Sequence, residues 1–335
     1  MLPTLRRPRS ELRSTLLLIV AVALCYWAAG RLGLLLRMTV EGAVVTPLWP
    51  PTGVAVAALL RYGARIWPGI ALGTILVVST LTGLDLNAVG IVVGNTVAPV
   101  VAWLMLRAAG FRTDISRLRD GLILVFLGAA GMIVSAACGV ATLVLDGSLS
   151  AGDIWPVWAS WWVGDAMGVL LVTPVLLLLS RLRSSDLAGH LVESVVLVAA
   201  LGALTYGITH TVLSLLFLDF PLLIWGALRL PPAITALCAL LISALATVAA
   251  VDSAGPFSGL TQFAVMLNLQ AFNVSVALTS LLLSAVIAEQ RRTRLRIEQV
   301  CRELVEVVET LAPPDTPRPR PPHELPPDPA DGASA

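Results

Sequence analysis

Apolar runs of about 20 residues recur along this chain from Thr15 to Ala288, and that is the length a helix needs to cross a bilayer. Nothing else in the sequence restricts its folding as much. The composition agrees: 57% of residues are hydrophobic and 13% charged, against about 25% charge in a soluble domain. The expected fold class is all-α, a polytopic bundle of transmembrane helices followed by a short cytoplasmic helix. The lipid bilayer is its first partner.

The candidate spans are roughly 15–36, 48–60, 66–82, 86–106, 120–145, 154–180, 190–210, 213–228, 232–251 and 261–288. Two are weak, because 48–60 is short and 213–228 contains Asp219 and Pro221. Loop charge orients them. Arg6, Arg7, Arg9 and Arg13 precede the first span and place it with its start in the cytoplasm. Alternate connections then carry Arg61 and Arg65; Arg107, Arg112, Arg117 and Arg119; Arg181 and Arg183; and Arg229. The opposite connections carry Asp85, Asp146 with Asp153, and Asp252, with Arg37 beside Glu41 the one exception. This parity predicts eight to ten spans, an even number, with both termini cytoplasmic. The expected organisation is a basic N-terminus (1–14), an integral-membrane domain (15–288), an amphipathic or coiled-coil helix (289–311) and a disordered Pro-rich tail (312–335).

The stretch from Pro47 to Gly73 reads as a helical hairpin. Two apolar runs flank the basic turn Arg61–Arg65, and each opens on a Trp-Pro pair. Trp suits the membrane–water boundary. Pro suits the first turn of a helix, where no N–H is needed. Trp49, Pro50 and Pro51 are therefore candidate site residues. Three GxxxG pairs, Gly69/Gly73, Gly90/Gly94 and Gly164/Gly168, lie inside spans and favour close helix packing.

Polar side chains inside a bilayer require a partner or a role. Asp165, preceded by Trp162, is either a carboxylate in an outward-facing cavity that binds a cation or donor, or one end of a helix-to-helix hydrogen bond. Trp155, Trp158 and Trp162 share a face and suggest an interfacial turn before the true span. Asn95 sits mid-span and either joins helices or serves a site. In the last span Gln270, Asn273, Ala277, Ser280 and Ser284 follow helical spacing, and this face either packs on another helix or lines a pocket. Beyond it, Ile297, Val300, Leu304, Val307 and Leu311 alternate spacings of three and four, a seam for a homodimeric coiled coil. The alternative is an amphipathic helix lying on the membrane.

Catalytic signatures are lacking: there is no P-loop, no nucleophile elbow and no HExxH. The four cysteines and three histidines are scattered, so no metal site and no cofactor is expected. No basic, aromatic-interleaved surface suggests nucleic acid. The expectation is a protein that is not an enzyme.

Five stretches carry a family resemblance: LWPPTGVAVAALLRYGARIWPGIALG, GNTVAPVVAWLMLR followed by GFRTDISRLRD, WWVGDAMGVLLVTPVLL, FPLLIWGALRLPPAITALCALL and SLLLSAVIAEQRR. In order and spacing they resemble the first class of bacterial membrane-associated sensor (MASE) domains, from about Pro47 to Arg292. The resemblance implies a sensory input module of the bacterial inner membrane, of about eight helices, which normally precedes a histidine kinase, diguanylate cyclase or PAS domain. Here no phospho-acceptor histidine and no GGDEF motif follows. The expectation is a stand-alone sensor that passes a signal through its last span to a partner, such as a separately encoded kinase. The alternative is a transporter or permease for a small solute.

Overall fold

The computed structural model describes residues 9–80, 86–211 and 213–311. Asp85, Arg6, Arg7 and the Pro-rich segment 312–335 lie outside the described residues. Ten helices account for the apolar segments: α1 (Arg9–Leu34), α2 (Pro50–Tyr62), α3 (Trp67–Val78), α4 (Leu86–Ala108), α5 (Leu118–Leu145), α6 (Ile154–Leu179), α7 (Ser184–Thr209), α8 (Asp219–Arg229), α9 (Pro232–Val251) and α10 (Gln262–Leu311). Seven of them are long and apolar enough to cross a membrane. The shorter ones, α2, α3 and α8, fall where the sequence predicted the hairpin and the weak segment 213–228.

Helix α2 has 13 residues and is about 20 Å long, less than the roughly 30 Å of a bilayer core. It is stable because protein surrounds it: Pro51, Thr52, Gly53, Ala55, Val56 and Leu59 are all buried. Its Pro50 and Pro51 occupy the first turn, and it ends at Gly63, whose φ of 79° allows the sharp reversal into α3. The predicted hairpin is present.

The bundle is all-α apart from a two-stranded hairpin that the sequence reading did not anticipate, β1 (Met38–Val40) paired with β2 (Ala43–Val45) in antiparallel register Met38↔Val45. Glu41 and Gly42 both have positive φ, the requirement of a tight two-residue turn. The alternation MTV-EG-AVV was the available signal, and its inward residues Met38, Val40 and Val45 are buried.

The GxxxG pairs mark close helix contacts. Gly69 and Gly73 lie against Ile19 and Tyr26 of α1, and Gly90 and Gly94 against Thr142 and Cys138 of α5. Two π turns, Leu124–Gly128 in α5 and Gly168–Val172 in α6, face each other, with Gly128 against Val169. The turn in α6 precedes Pro174, whose ring and missing N–H disrupt the regular ladder there. The three tryptophans ahead of Asp165 do not form a separate interfacial turn. They stack at 5.2 and 5.7 Å along one continuous α6 that starts at Ile154.

The loops sort by the charge parity. At one end Arg61, Thr113, Ser180 and Arg181 surround a cavity of about 280 Å³, with Arg181 donating to Thr113 at 2.7 Å. Arg229 pairs with Glu193 at 2.9 Å, and the Leu118 N–H donates to the Glu289 carboxylate at 3.1 Å. The oppositely assigned loops meet elsewhere: Arg37, Val44, Val251 and Gln262 share a cavity, Trp161 donates to Val44 O at 3.2 Å, and Gly255 lies against Thr209.

Residues 9–289 and 290–311 belong to two separate compact units. In the second, Arg294 pairs with Glu298 at 3.1 Å and Gln299 with Glu303 at 2.8 Å, both one helical turn apart. Ile297, Val300, Leu304 and Val307 are exposed, while the side chain of Leu311 lies outside the described residues.

Candidate functional site

The start of α2 and the middle of α6 are drawn together by small residues. A Cβ on Gly168 would run into the Trp49 carbonyl, one on Gly164 into Thr46 O, and one on Gly53 into Gly168 O. At this distance backbone and hydroxyl groups bond directly between the helices. The Trp49 N–H donates to Gly164 O at 3.0 Å. The Thr52 hydroxyl shares its one proton between Trp49 O and Asp165 O, each at 2.8 Å, and Thr173 donates to Gly53 O at 3.1 Å. The sequence stretches PPTG and GDAMG…TP are thus the two halves of one contact.

That contact holds Asp165 at the wall of a cavity of about 510 Å³. Asp165 lies roughly 16 Å along α6 from Ile154, at 1.5 Å per residue, and is 6% exposed. The Ser135 hydroxyl of α5 is its neighbour. Among the described residues no cationic side chain pairs with it. Asn95 and Thr74 add polar groups from α4 and α3, and Trp49 and Trp161 add aromatic walls. The Asn95 amide nitrogen donates to Ile91 O at 3.0 Å, which leaves its oxygen as the available acceptor. Arg37, Gly42, Val44 and Ser148, all on the connections assigned outward, form the rim. Tyr26 is fully buried near Thr74 and Trp49, with its hydroxyl unpartnered.

Of the residues singled out from sequence, the cavity brings together Trp49, Asn95 and Asp165. Pro50 and Pro51 begin α2 beside it. Trp162 is elsewhere, donating to Ala129 O at 2.8 Å and tying α6 to α5. Gln270 of α10 lies outside the cavity and bonds to the segment ahead of α2: its Nε2 donates to Pro47 O at 2.8 Å. Asn273 is fully buried, and neither atom of its amide has a partner. Ala277, Ser280 and Ser284 are buried too, and they line a small cavity of about 20 Å³ with Leu170, Pro174 and Ala236.

Sequence reasoning missed Thr74, Ser135, Arg37 and Trp161 as cavity residues. For Thr74 and Ser135 a lone hydroxyl in an apolar span was the only signal, and a weak one. Asp219 was read only as a flaw in a span. It is fully buried and accepts from Thr205 at 3.1 Å through one oxygen, while the other lacks a partner.

Seven helices long and apolar enough to cross a bilayer define a multi-pass membrane protein. The chain belongs to the MASE1 family, whose model matches residues 18–291. It is similar to the probable diguanylate cyclase DgcE of Escherichia coli (strain K12), 34% identical over 223 residues. The similarity covers 58% of this chain and 18% of that protein, so the chain spans only a small part of this relative's length. No solved structure matches. Membership in this family makes the chain a membrane sensory input domain, seated in the bacterial inner membrane.

Proposed function

We propose that this domain senses a small molecule in the outer cavity and relays its presence through α10. One observation carries the proposal: the hydrogen bond from Gln270 to Pro47 O. Thr46 and Trp49, on either side of Pro47, line the cavity, so the 46–49 segment touches both the ligand space and the last helix. A ligand that displaces Trp49 alters the seat of Gln270. Because α10 is one helix from Gln262 to Leu311, a change at Gln270 is carried toward the Ile297–Val307 seam.

Such a ligand acts only through its differential affinity for two packings of α10. The Arg-rich ends assign the Glu289 side to the cytoplasm and the cavity rim to the outside. The output is exerted on a signalling partner, through a parallel pairing of two copies along Ile297, Val300, Leu304, Val307 and Leu311. The 18% coverage of the cyclase-named relative supports an input role for the region that matches.

The test is disulfide crosslinking in native membranes, with Cys301 replaced and single cysteines placed at each position from 295 to 308. Expected are crosslinks peaking at 297, 300, 304 and 307, with a pattern that changes in Gln270→Leu. A flat profile, or one insensitive to Gln270, overturns the relay. Solute accumulation in vesicles that Asp165→Asn abolishes would replace sensing by transport.

A further inference from the structure

We propose that the outer cavity takes a small organic monocation, with its ammonium group on Asp165. This rests on the sensing proposal and names the ligand class of its cavity. The carboxylate is nine-tenths buried yet lines a space of about 510 Å³, within the range that accepts a small ligand. A buried carboxylate without a counter-charge is costly, and an arriving cation removes that cost. No arginine or histidine of the described residues does so.

The remaining walls fit the same ligand. Trp49 and Trp161 line the space, and an indole attracts an ammonium that comes over its face within about 6 Å of the ring centre. Ser135 and Asn95 supply neutral oxygens for the remaining N–H groups. Ile91 and Leu143 provide dry surface for a hydrocarbon body. A bare metal ion fits less well: the space is many times its size, and a single carboxylate leaves most of the six to eight oxygen positions a calcium ion takes unfilled. Arg37 on the rim repels a second positive charge, which favours monocations over polyamines.

The experiment uses the full chain in lipid nanodiscs with benzylammonium as the probe. Calorimetry is expected to show saturable binding, at least tenfold weaker for benzyl alcohol, the neutral isostere, and for the Asp165→Asn variant. The wild-type protein provides an independent readout: a lipophilic carbodiimide modifies buried carboxyls, and peptide mass spectrometry locates the adducts. Benzylammonium is expected to protect Asp165 and leave modification of Asp219 unchanged. Equal binding of benzyl alcohol, undiminished binding by Asp165→Asn, or unprotected Asp165 overturns the proposal. So does protection by sodium chloride alone, which would mark an inorganic ion site, or failure of every ammonium from methyl to benzyl to bind. Binding with no change in the crosslinking profile refutes the relay and leaves the cation site standing.

Discussion

One added methyl group tests the central contact. In Gly168→Ala the new Cβ overlaps the Trp49 carbonyl and comes within 2.8 Å of its carbon. It also meets the Thr52 hydroxyl, but the nearest group, the Trp49 carbonyl, is backbone and cannot swing away, so α2 and α6 must separate. Separation stretches three interhelical hydrogen bonds, from Trp49 N to Gly164 O at 3.0 Å, Thr52 to Asp165 O at 2.8 Å and Thr173 to Gly53 O at 3.1 Å. Such bonds average about 0.6 kcal/mol in membrane bundles, so three contribute about 2 kcal/mol. Overpacking a tight core adds about 1–3 kcal/mol. The expected loss is therefore about 3–5 kcal/mol, well beyond any gain in helix propensity. Gly207→Ala is the control: α7 leaves open space there, and the propensity gain of up to about 1 kcal/mol is all that acts. Equilibrium unfolding in mixed micelles titrated with dodecyl sulfate measures both. A Gly168→Ala protein within 0.5 kcal/mol of wild type, on the same order as Gly207→Ala, would show that α2 and α6 are not held in this contact.

Other outcomes follow from single contacts. Thr52→Val removes a hydroxyl that serves two carbonyls while keeping the side-chain volume, and should cost about 1 kcal/mol in the same unfolding assay. Glu289→Ala removes the carboxylate that accepts from the Leu118 N–H, and hydrogen exchange should rise across the first turn of α5. Gln270→Leu should leave benzylammonium affinity within threefold of wild type, because Gln270 touches Pro47 and not the cavity, while altering the crosslinks at 297–307.

Much of this architecture was legible in the sequence because bilayer physics is a coarse filter. Spans need length, and Arg-rich loops need one side; both rules act on composition and predicted which loops meet, as the Arg61–Thr113–Arg181 and Arg37–Val44–Gln262 groupings bear out. The short helices were legible only in part. Nothing local says that most of residues 51–59 are buried in protein, since burial of α2 depends on Gly164 and Gly168 far along the chain. The site was half legible for the same reason. Asp165, Asn95 and Trp49 stand out as costly or interfacial residues, whereas Ser135 and Thr74 matter only because folding aims them at the carboxylate's cavity. The hairpin at 38–45 was missed because an expectation of uninterrupted helices outweighed a two-residue Glu41-Gly42 turn.

Asn273 bears most directly on how this domain holds two states. Its amide is fully buried, and neither the oxygen nor the nitrogen has a partner in this packing. A buried polar group left unmatched costs about 1–3 kcal/mol. That cost raises this arrangement of α10 toward any alternative in which a small rotation or slide gives the amide a partner. Three residues earlier, the Gln270 bond to Pro47 holds the helix in place, so adjacent turns of α10 carry opposing tendencies. A two-state element needs such a balance, because shifting a population from 1:99 to 99:1 already requires a ligand preference of about 5.5 kcal/mol. Asn273→Leu keeps the number and branching of side-chain heavy atoms, though with a larger volume, and removes the mismatch. It should stabilise the bundle by about 1–3 kcal/mol in micelle unfolding and make the crosslinking profile of 297–307 insensitive to benzylammonium. A destabilised Asn273→Leu protein would mean that the amide is satisfied by bound water, and the imbalance invoked here would not exist.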